Sequence, residues 1–187
     1  MGSDRDIHNQ YMLFSLFPHF SGPDMKKTIK LALDQTDKEI LQRIQINGRI
    51  PIAQLADEVS LSASACARRL RLLEDAQIIR GYGARLDESI LGLPLMALVR
   101  VSLNRKTDDV LATFEAAITK APEVMEAYLM TGRDDYILRV VVADMPAYER
   151  FLRQRLTRIS GVSQIESSFM LRQVAHRAAL PVPPESD

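Results

Sequence analysis

The stretch that decides how this chain folds is Ile52–Glu74, IAQLADEVSLSASACARRLRLLE. Ile52, Leu55, Ala56 and Val59 follow Pro51 at i, i+3, i+4 and i+7, the apolar stripe of a half-buried helix. Ser60-Leu61-Ser62 makes a tight polar turn, and Ser62 is a suitable cap for a second helix. On a wheel of about 100° per residue, that second helix groups Cys66, Leu70 and Leu73 on one side, with Ala63 and Ala67 beside them. Ser64, Arg68 and Arg71 lie opposite, and Arg69 sits at the flank. Small polar residues in a first helical turn, followed by arginines, suit a DNA major groove. The first turn meets base edges, and the guanidinium groups reach guanine or phosphate. Ser62, Ser64, Ala65, Arg68, Arg69 and Arg71 are therefore the expected DNA-contacting set. A solvated basic face is the plainer reading of a short arginine cluster. The preceding short helix and three-residue turn shift the balance toward DNA. Cys66, on the packing side, reads as a small buried hydrophobe.

Upstream, Asp34 is a good N-cap for a helix through Gln45 that turns Ile40, Leu41 and Ile44 inward, with Asn47-Gly48 ending it in the left-handed conformation. Downstream, Ile78–Leu86 (IIRGYGARL) reads as a short hairpin bent at Gly81 and Gly83. Leu91-Gly92-Leu93-Pro94 reads as a connection. Beyond it the rhythm changes. Met96–Leu103 alternates with the period of a strand, Ala97, Val99, Val101 and Leu103 on one face. Val110, Leu111, Phe114, Ala117 and Ile118 form a helical stripe. Val124–Thr131 and Tyr136–Val142 read as two strands joined across Gly132-Arg133-Asp134-Asp135. A helix then carries Tyr148, Leu152, Leu156 and Ile159 inward, and Val162–Leu171 is a last strand. Strand–helix–strand–strand–helix–strand is the split βαβ, ferredoxin-like plan.

The expected class is thus α+β: an N-terminal winged helix-turn-helix DNA-binding domain, then a ferredoxin-like βαββαβ effector and oligomerisation domain. The expected divisions are a mobile extension over 1–30, the helix-turn-helix over 31–77, a hairpin linker over 78–93, the ferredoxin-like domain over 94–175 and a tail over 176–187. Pro181–Asp187 is expected to be disordered.

The bulk properties limit the alternatives. Lys+Arg and Asp+Glu both number 24 among 187 residues, so no overall field draws the protein to nucleic acid, and any attraction to DNA is local. One cysteine excludes an intrachain disulfide and suits a reducing cytoplasm. No apolar run is long enough to span a bilayer, which takes about 18 residues. Tyr11–Phe20 is short, holds Pro18 and His19, and lacks the flanks of a signal peptide. Met25 begins a second plausible start. No active site assembles: His8, His19 and His176 lie far in sequence from the acidic loop, and no Cys/His pair has zinc-ligand spacing. Gly81-Tyr82-Gly83 lacks the third glycine of a dinucleotide fingerprint. Asp134-Asp135 is a weak cation site at best. No catalytic residue, metal or cofactor is expected.

Several segments together carry a more specific resemblance. LDQTDKEIL (Leu33–Leu41), NGRI (Asn47–Ile50), the helix from Ser62 ending RLRLLE at Glu74, and IIRGYGARLD (Ile78–Asp87) look like the Lrp/AsnC family of transcription regulators. TGRDDYILRV (Thr131–Val140), VADMPAYERFL (Val142–Leu152) and ISGVSQIESSF (Ile159–Phe169) match its second domain. The likeness runs from about Leu31 to Val182. Ala63 stands where the family usually has proline, which costs some pre-organisation of the helix start. Arg133-Asp134 replaces a common acidic-aromatic pair in the effector loop.

The resemblance implies that the second domain dimerises and binds a small effector, usually an amino acid, between subunits or dimers. By position it assigns Gly132 and Asp135 to the centre of that site, with Met130, Tyr136, Met145, Ile159, Phe169 and Met170 lining it or an adjoining interface. Gly132 could offer backbone N–H groups to a carboxylate, and Asp135 could accept from an ammonium group. The plainer reading is a hairpin turn in which Asp135 caps its own backbone.

The resulting expectation is a cytoplasmic regulator with no membrane contact. It forms a homodimer, or a tetramer or octamer, on double-stranded DNA at a roughly palindromic site. The rival from another class is a metabolite-binding ferredoxin-like module whose helical head docks a protein partner.

Overall fold

A computed structural model describes residues 33–177 and 179–182. The expected extension over 1–30 lies outside the described residues, as does the end of the chain from residue 183. The described chain divides into two compact units. One ends at Tyr82 and takes in residues 179–182; the other spans Gly83–Arg177.

The first unit is three helices: α1 (Gln35–Ile46), α2 (Ile52–Glu58) and α3 (Ala63–Asp75). Asp34 and Asp37 close a capping box at the start of α1. The Asp34 carboxylate accepts the Asp37 N–H at 2.8 Å, and the Asp37 carboxylate accepts the Asp34 N–H at 3.3 Å. Asn47 ends the helix at φ −134°, so the expected left-handed termination does not form. The Asn47 side-chain oxygen instead accepts the Arg49 N–H at 3.0 Å, a local turn that makes the αL residue unnecessary. The left-handed residue of this unit's central turn is Ser60, at φ 55°. Ser62 caps α3 by accepting the Ala65 N–H at 3.3 Å. Ile40, Leu55, Cys66 and Leu73 are fully buried between the three helices, as the 3.6-residue spacing requires.

The expected hairpin over Ile78–Leu86 is absent. Residues 80–87 carry no strand, and the segment 80–86 makes no backbone hydrogen bond among the described residues. Among the described residues this segment therefore forms no wing. Of the tail expected to be disordered, only Pro181 and Val182 are described. The Gln45 side chain accepts the Leu180 N–H at 2.7 Å and donates to the Leu180 carbonyl at 3.3 Å. Val182 packs against the apolar cluster of this unit.

In the second unit the order is β1 (Leu95–Leu103), α4 (Asp108–Thr119), β2 (Val124–Leu129), β3 (Tyr136–Val142), α5 (Met145–Gln154) and β4 (Val162–Phe169), with a 3₁₀ turn at Leu156–Arg158. The strands form one antiparallel sheet in the order β2-β3-β1-β4. This is the ferredoxin-like plan the alternation implied. Val99, Val101, Leu138 and Val140 bury one face of the sheet against Phe114 of α4 and Phe151 of α5. Burying side chains of this kind stabilises by roughly 1.5–3 kcal/mol each, and this core fixes the register. The helix expected to run inward through Ile159 ends at Gln154; Tyr148 and Phe151 are its fully buried residues, and Leu152 and Ile159 pack part-buried against the same core. Leu156 still reaches the core, from the 3₁₀ turn. The other face of the sheet carries Met96, Leu98, Arg100 and Tyr128; Leu98 and Tyr128 are exposed, while Glu88 pairs with Arg139 on this face at 3.5 Å.

Candidate nucleic-acid interface and effector loop

The geometry of α3 follows the wheel. Cys66 and Leu73 are buried, and burial pushes the Cys66 thiol pKa up, as expected of an inert packing residue. Ser64, Arg68 and Arg71 are exposed, and neither arginine has an ion-pair partner among the described residues. Ser62 is exposed at the cap, where its hydroxyl lies 3.2 Å from that of Ser64, and Ala65 is half-buried behind them. The helix thus offers two hydroxyls, at its cap and in its first turn, and unpaired guanidinium groups one and two turns on, a donor-rich strip for base edges and phosphates.

Arg69 differs from its neighbours. Its Nη1 lies 2.6 Å from Asp34 Oδ2 and 2.8 Å from Asp37 Oδ1, and only a quarter of its side chain is exposed. The backbone hydrogen bond within the capping box, and then Arg69, hold the Asp34 carboxyl below its usual range. The wheel placed Arg69 at the flank but could not show that two aspartates of another helix would occupy it. Arg49 is a further exposed guanidinium without an ion-pair partner among the described residues, in the turn before α2. Nothing in the α3 pattern pointed to it.

The residues assigned to an effector site separate into two groups within one chain. Met130, Gly132, Asp135 and Tyr136 sit at the β2–β3 hairpin. Gly132 is at φ +129°, and the Met130 N–H donates to the Asp135 carbonyl at 2.8 Å. Ile159 joins this end of the sheet, where the Asn104 N–H donates to Gly161 just before β4. Phe169 and Met170 lie at the far end of β1, opposite Ala97 and bonded to Met96, and Met145 begins α5 just beyond β3. Val101 and Ala97, which mark the two ends, are four residues apart, roughly 13 Å along a strand. One chain alone does not bring these eight residues together.

Asp135 is already engaged. It is 4% exposed; Oδ2 accepts the Leu103 N–H at 2.8 Å and Oδ1 pairs with Lys106 Nζ at 2.7 Å. The β1–β3 ladder ends at Val101 opposite Tyr136, and this carboxylate takes up the next free donor on β1. It therefore caps the neighbouring strand rather than its own turn, and the ammonium group it holds within this chain is that of Lys106. Tyr136 is likewise buried. Its hydroxyl donates to Glu115 at 2.7 Å, and its ring stacks against Phe114 at 4.5 Å. Burial first, and then Glu115, push its pKa up. Lys106 and Glu115 are the residues a sequence reading missed, because no periodicity links them to Asp135 or Tyr136. What remains open in the loop is the backbone around Gly132. Arg133 lies beside it without an ion-pair partner among the described residues, and Asp134 is 3.9 Å from Arg100.

A capped helix-turn-helix joined to a split βαβ domain defines a class: DNA-binding transcription regulators with a separate ligand-binding domain, and not enzymes. Residues 33–74 match the AsnC-type helix-turn-helix domain, and residues 96–180 match the Lrp/AsnC ligand-binding domain. The chain belongs to the Lrp/AsnC family. It is 46% identical to the Bkd operon transcriptional regulator of Pseudomonas aeruginosa over 150 residues, covering 80% of this chain and 98% of that protein. It is 37% identical to the leucine-responsive regulatory protein of Salmonella typhimurium over 151 residues, covering 81% and 92%. Among solved structures, a transcriptional regulator of Neisseria meningitidis in complex with L-Met superposes with a TM-score of 0.76 at 42% identity, over 80% of this chain and 96% of that one.

Proposed function

We propose that this regulator reads DNA through the outer face of α3, as a homodimer or an assembly of dimers in the cytoplasm, and that an amino acid modulates its assembly or DNA affinity. The observation that carries the DNA part is the pairing pattern on α3: Arg68 and Arg71 are exposed and unpaired beside the Ser62 and Ser64 hydroxyls. Such groups keep their hydrogen-bonding capacity for a ligand. Among the described residues no helix is long and apolar enough to cross a membrane. Paired heads on a two-fold dimer favour a roughly palindromic site with half-sites about one helical turn apart, or a multiple of it.

The support for an amino-acid effector is the family's ligand-binding domain together with the L-Met bound by the Neisseria relative. Met130, Met145 and Met170 are each part-exposed and give an adaptable apolar surface that suits an apolar or sulfur-containing side chain. Because they lie at different ends of the sheet in one chain, the reading requires that neighbouring subunits complete the site. Linkage then supplies the mechanism. A ligand that binds one arrangement of subunits better raises that arrangement's population and changes the spacing of the heads.

Arg68→Ala is expected to lower affinity for a selected duplex by about 1–3 kcal/mol and to relax base preference, measured by fluorescence anisotropy across a duplex library. Unchanged affinity and preference would remove α3 as the reading helix. A thermal-shift screen of the amino acids tests the effector. Methionine or another apolar amino acid at 100 times its dissociation constant adds about 2.7 kcal/mol of stability. Flat curves for the whole set would count against the site.

A further inference from the structure

We infer that Arg69 is a positioning residue for DNA reading: bound by Asp34 and Asp37, it sets the orientation of α3 and does not itself contact DNA. The inference rests on the proposal that α3 reads DNA. Three observations carry it. First, one nitrogen of the guanidinium is shared by two carboxylates at 2.6 and 2.8 Å, both from the first turn of α1 or its cap. Second, those carboxylates have no spare oxygen. Asp34 Oδ1 and Asp37 Oδ2 close the capping box, and Asp34 Oδ2 and Asp37 Oδ1 hold Arg69. The cap of α1 and the clamp on α3 are one network. Third, Arg68 and Arg71 on the same helix have no such partner.

The physical case lies in the kind of force each contact supplies. Ile40, Ile44, Cys66 and Leu73 hold the helices together by apolar burial, which resists separation but is non-directional. A charge-assisted bond from a planar guanidinium is directional. Among the described residues, Arg69 makes the side-chain polar link between α1 and α3. It therefore limits rotation of α3 about its own axis. That rotation decides whether Ser64, Arg68 and Arg71 meet base edges or miss them, and sites of this kind need alignment within about 0.5 Å.

The test compares the full-length protein with the double variant Asp34→Asn, Asp37→Asn, and with Arg69→Lys and Arg69→Gln. Asparagine is as good an N-cap as aspartate, so α1 keeps its start. Circular dichroism and thermal melts identify the temperature at which every variant is folded, and binding is measured there. The readouts are the ratio of affinities for a selected and a random duplex, and the slope of log affinity against log salt. The expected result is a ratio about tenfold lower for the double variant and for Arg69→Gln, partly restored in Arg69→Lys, with the salt slope unchanged. A DNA-contacting Arg69 gives the opposite sign: freeing it by the Asn pair raises affinity for both duplexes and steepens the slope by about one unit. That outcome overturns the inference. So does a lowered melting temperature with the ratio intact, which would make the clamp purely structural. A wild-type protein without any duplex preference would instead sink the DNA-reading proposal, and this inference with it.

Discussion

At the scale of single residues, the same side-chain type serves different ends depending on what lies within about 3 Å. Arg68 and Arg69 are adjacent in sequence, yet one is exposed and unpaired and the other is held by two aspartates. Asp135 shows the same dependence, since its carboxylate closes the β1 edge through Leu103 and Lys106. Tyr82 follows the pattern on the head. Its ring lies against Gly48, where an added Cβ would come within 3.2 Å, and its hydroxyl donates to Glu74 at 2.7 Å. Desolvation, and then the Glu74 carboxylate, push its pKa up to about 12. The sign follows from the neutral phenol being favoured in the folded state. The contribution to stability is complete below the unfolded value near 10 and is lost as pH rises through about 12. A difference titration of phenolate absorbance between wild type and Tyr82→Phe is expected to show this late step, moved to lower pH in Glu74→Gln. A Tyr82 step at the ordinary tyrosine pKa would show that the contact with Glu74 does not persist in solution.

At the scale of elements, the parts legible in the sequence were those with a short-range cause. The three head helices, their caps at Asp34 and Ser62, and four strands with two intervening helices all follow from spacing and capping chemistry. The hairpin over Ile78–Leu86 does not form among the described residues: glycines and alternation permit the bend, but an isolated two-stranded hairpin is marginal without a face to pack on, and no backbone hydrogen bond links its arms. The α5 stripe was read too far because Arg155 breaks the helix while Leu156 still reaches the core, a departure periodicity cannot register. Gly161 carries the sharpest prediction at this scale. It sits at φ +95° just before β4, and a Cβ there would lie 2.7 Å from a Val110 methyl. Gly161→Ala is expected to cost roughly 1–3 kcal/mol from backbone strain and overpacking, read as a lower denaturant midpoint with unchanged m-value. A variant as stable as wild type would mean the β4 entry relaxes freely. Gly132, with open space around its missing Cβ, carries only the backbone penalty.

At the scale of the whole molecule, two features stand out in the isolated chain. Residues 80–87 form no strand, and Leu98 and Tyr128 on the outer face of the sheet are exposed. Leu86, Ile90 and Leu91 add further exposed apolar side chains. Surfaces of this kind mark interfaces. The expected outcome is a melting temperature that rises with protein concentration and a light-scattering mass of at least a dimer. A concentration-independent melt at the monomer mass would refute the assembly on which the shared effector site depends. The sequence by itself determined the helix-turn-helix, the outward strip of Ser64, Arg68 and Arg71, the βαββαβ order and the burial of Cys66, because each rests on periodicity or capping within about a dozen residues. Only the tertiary structure decided that Arg69 is tied to α1, that Asp135 and Tyr136 are occupied inside the fold, that the eight candidate effector residues separate within one chain, and that Gln45 holds Leu180. Those outcomes turn on which distant polar groups meet once the apolar faces are buried, and a short-range pattern carries no record of that.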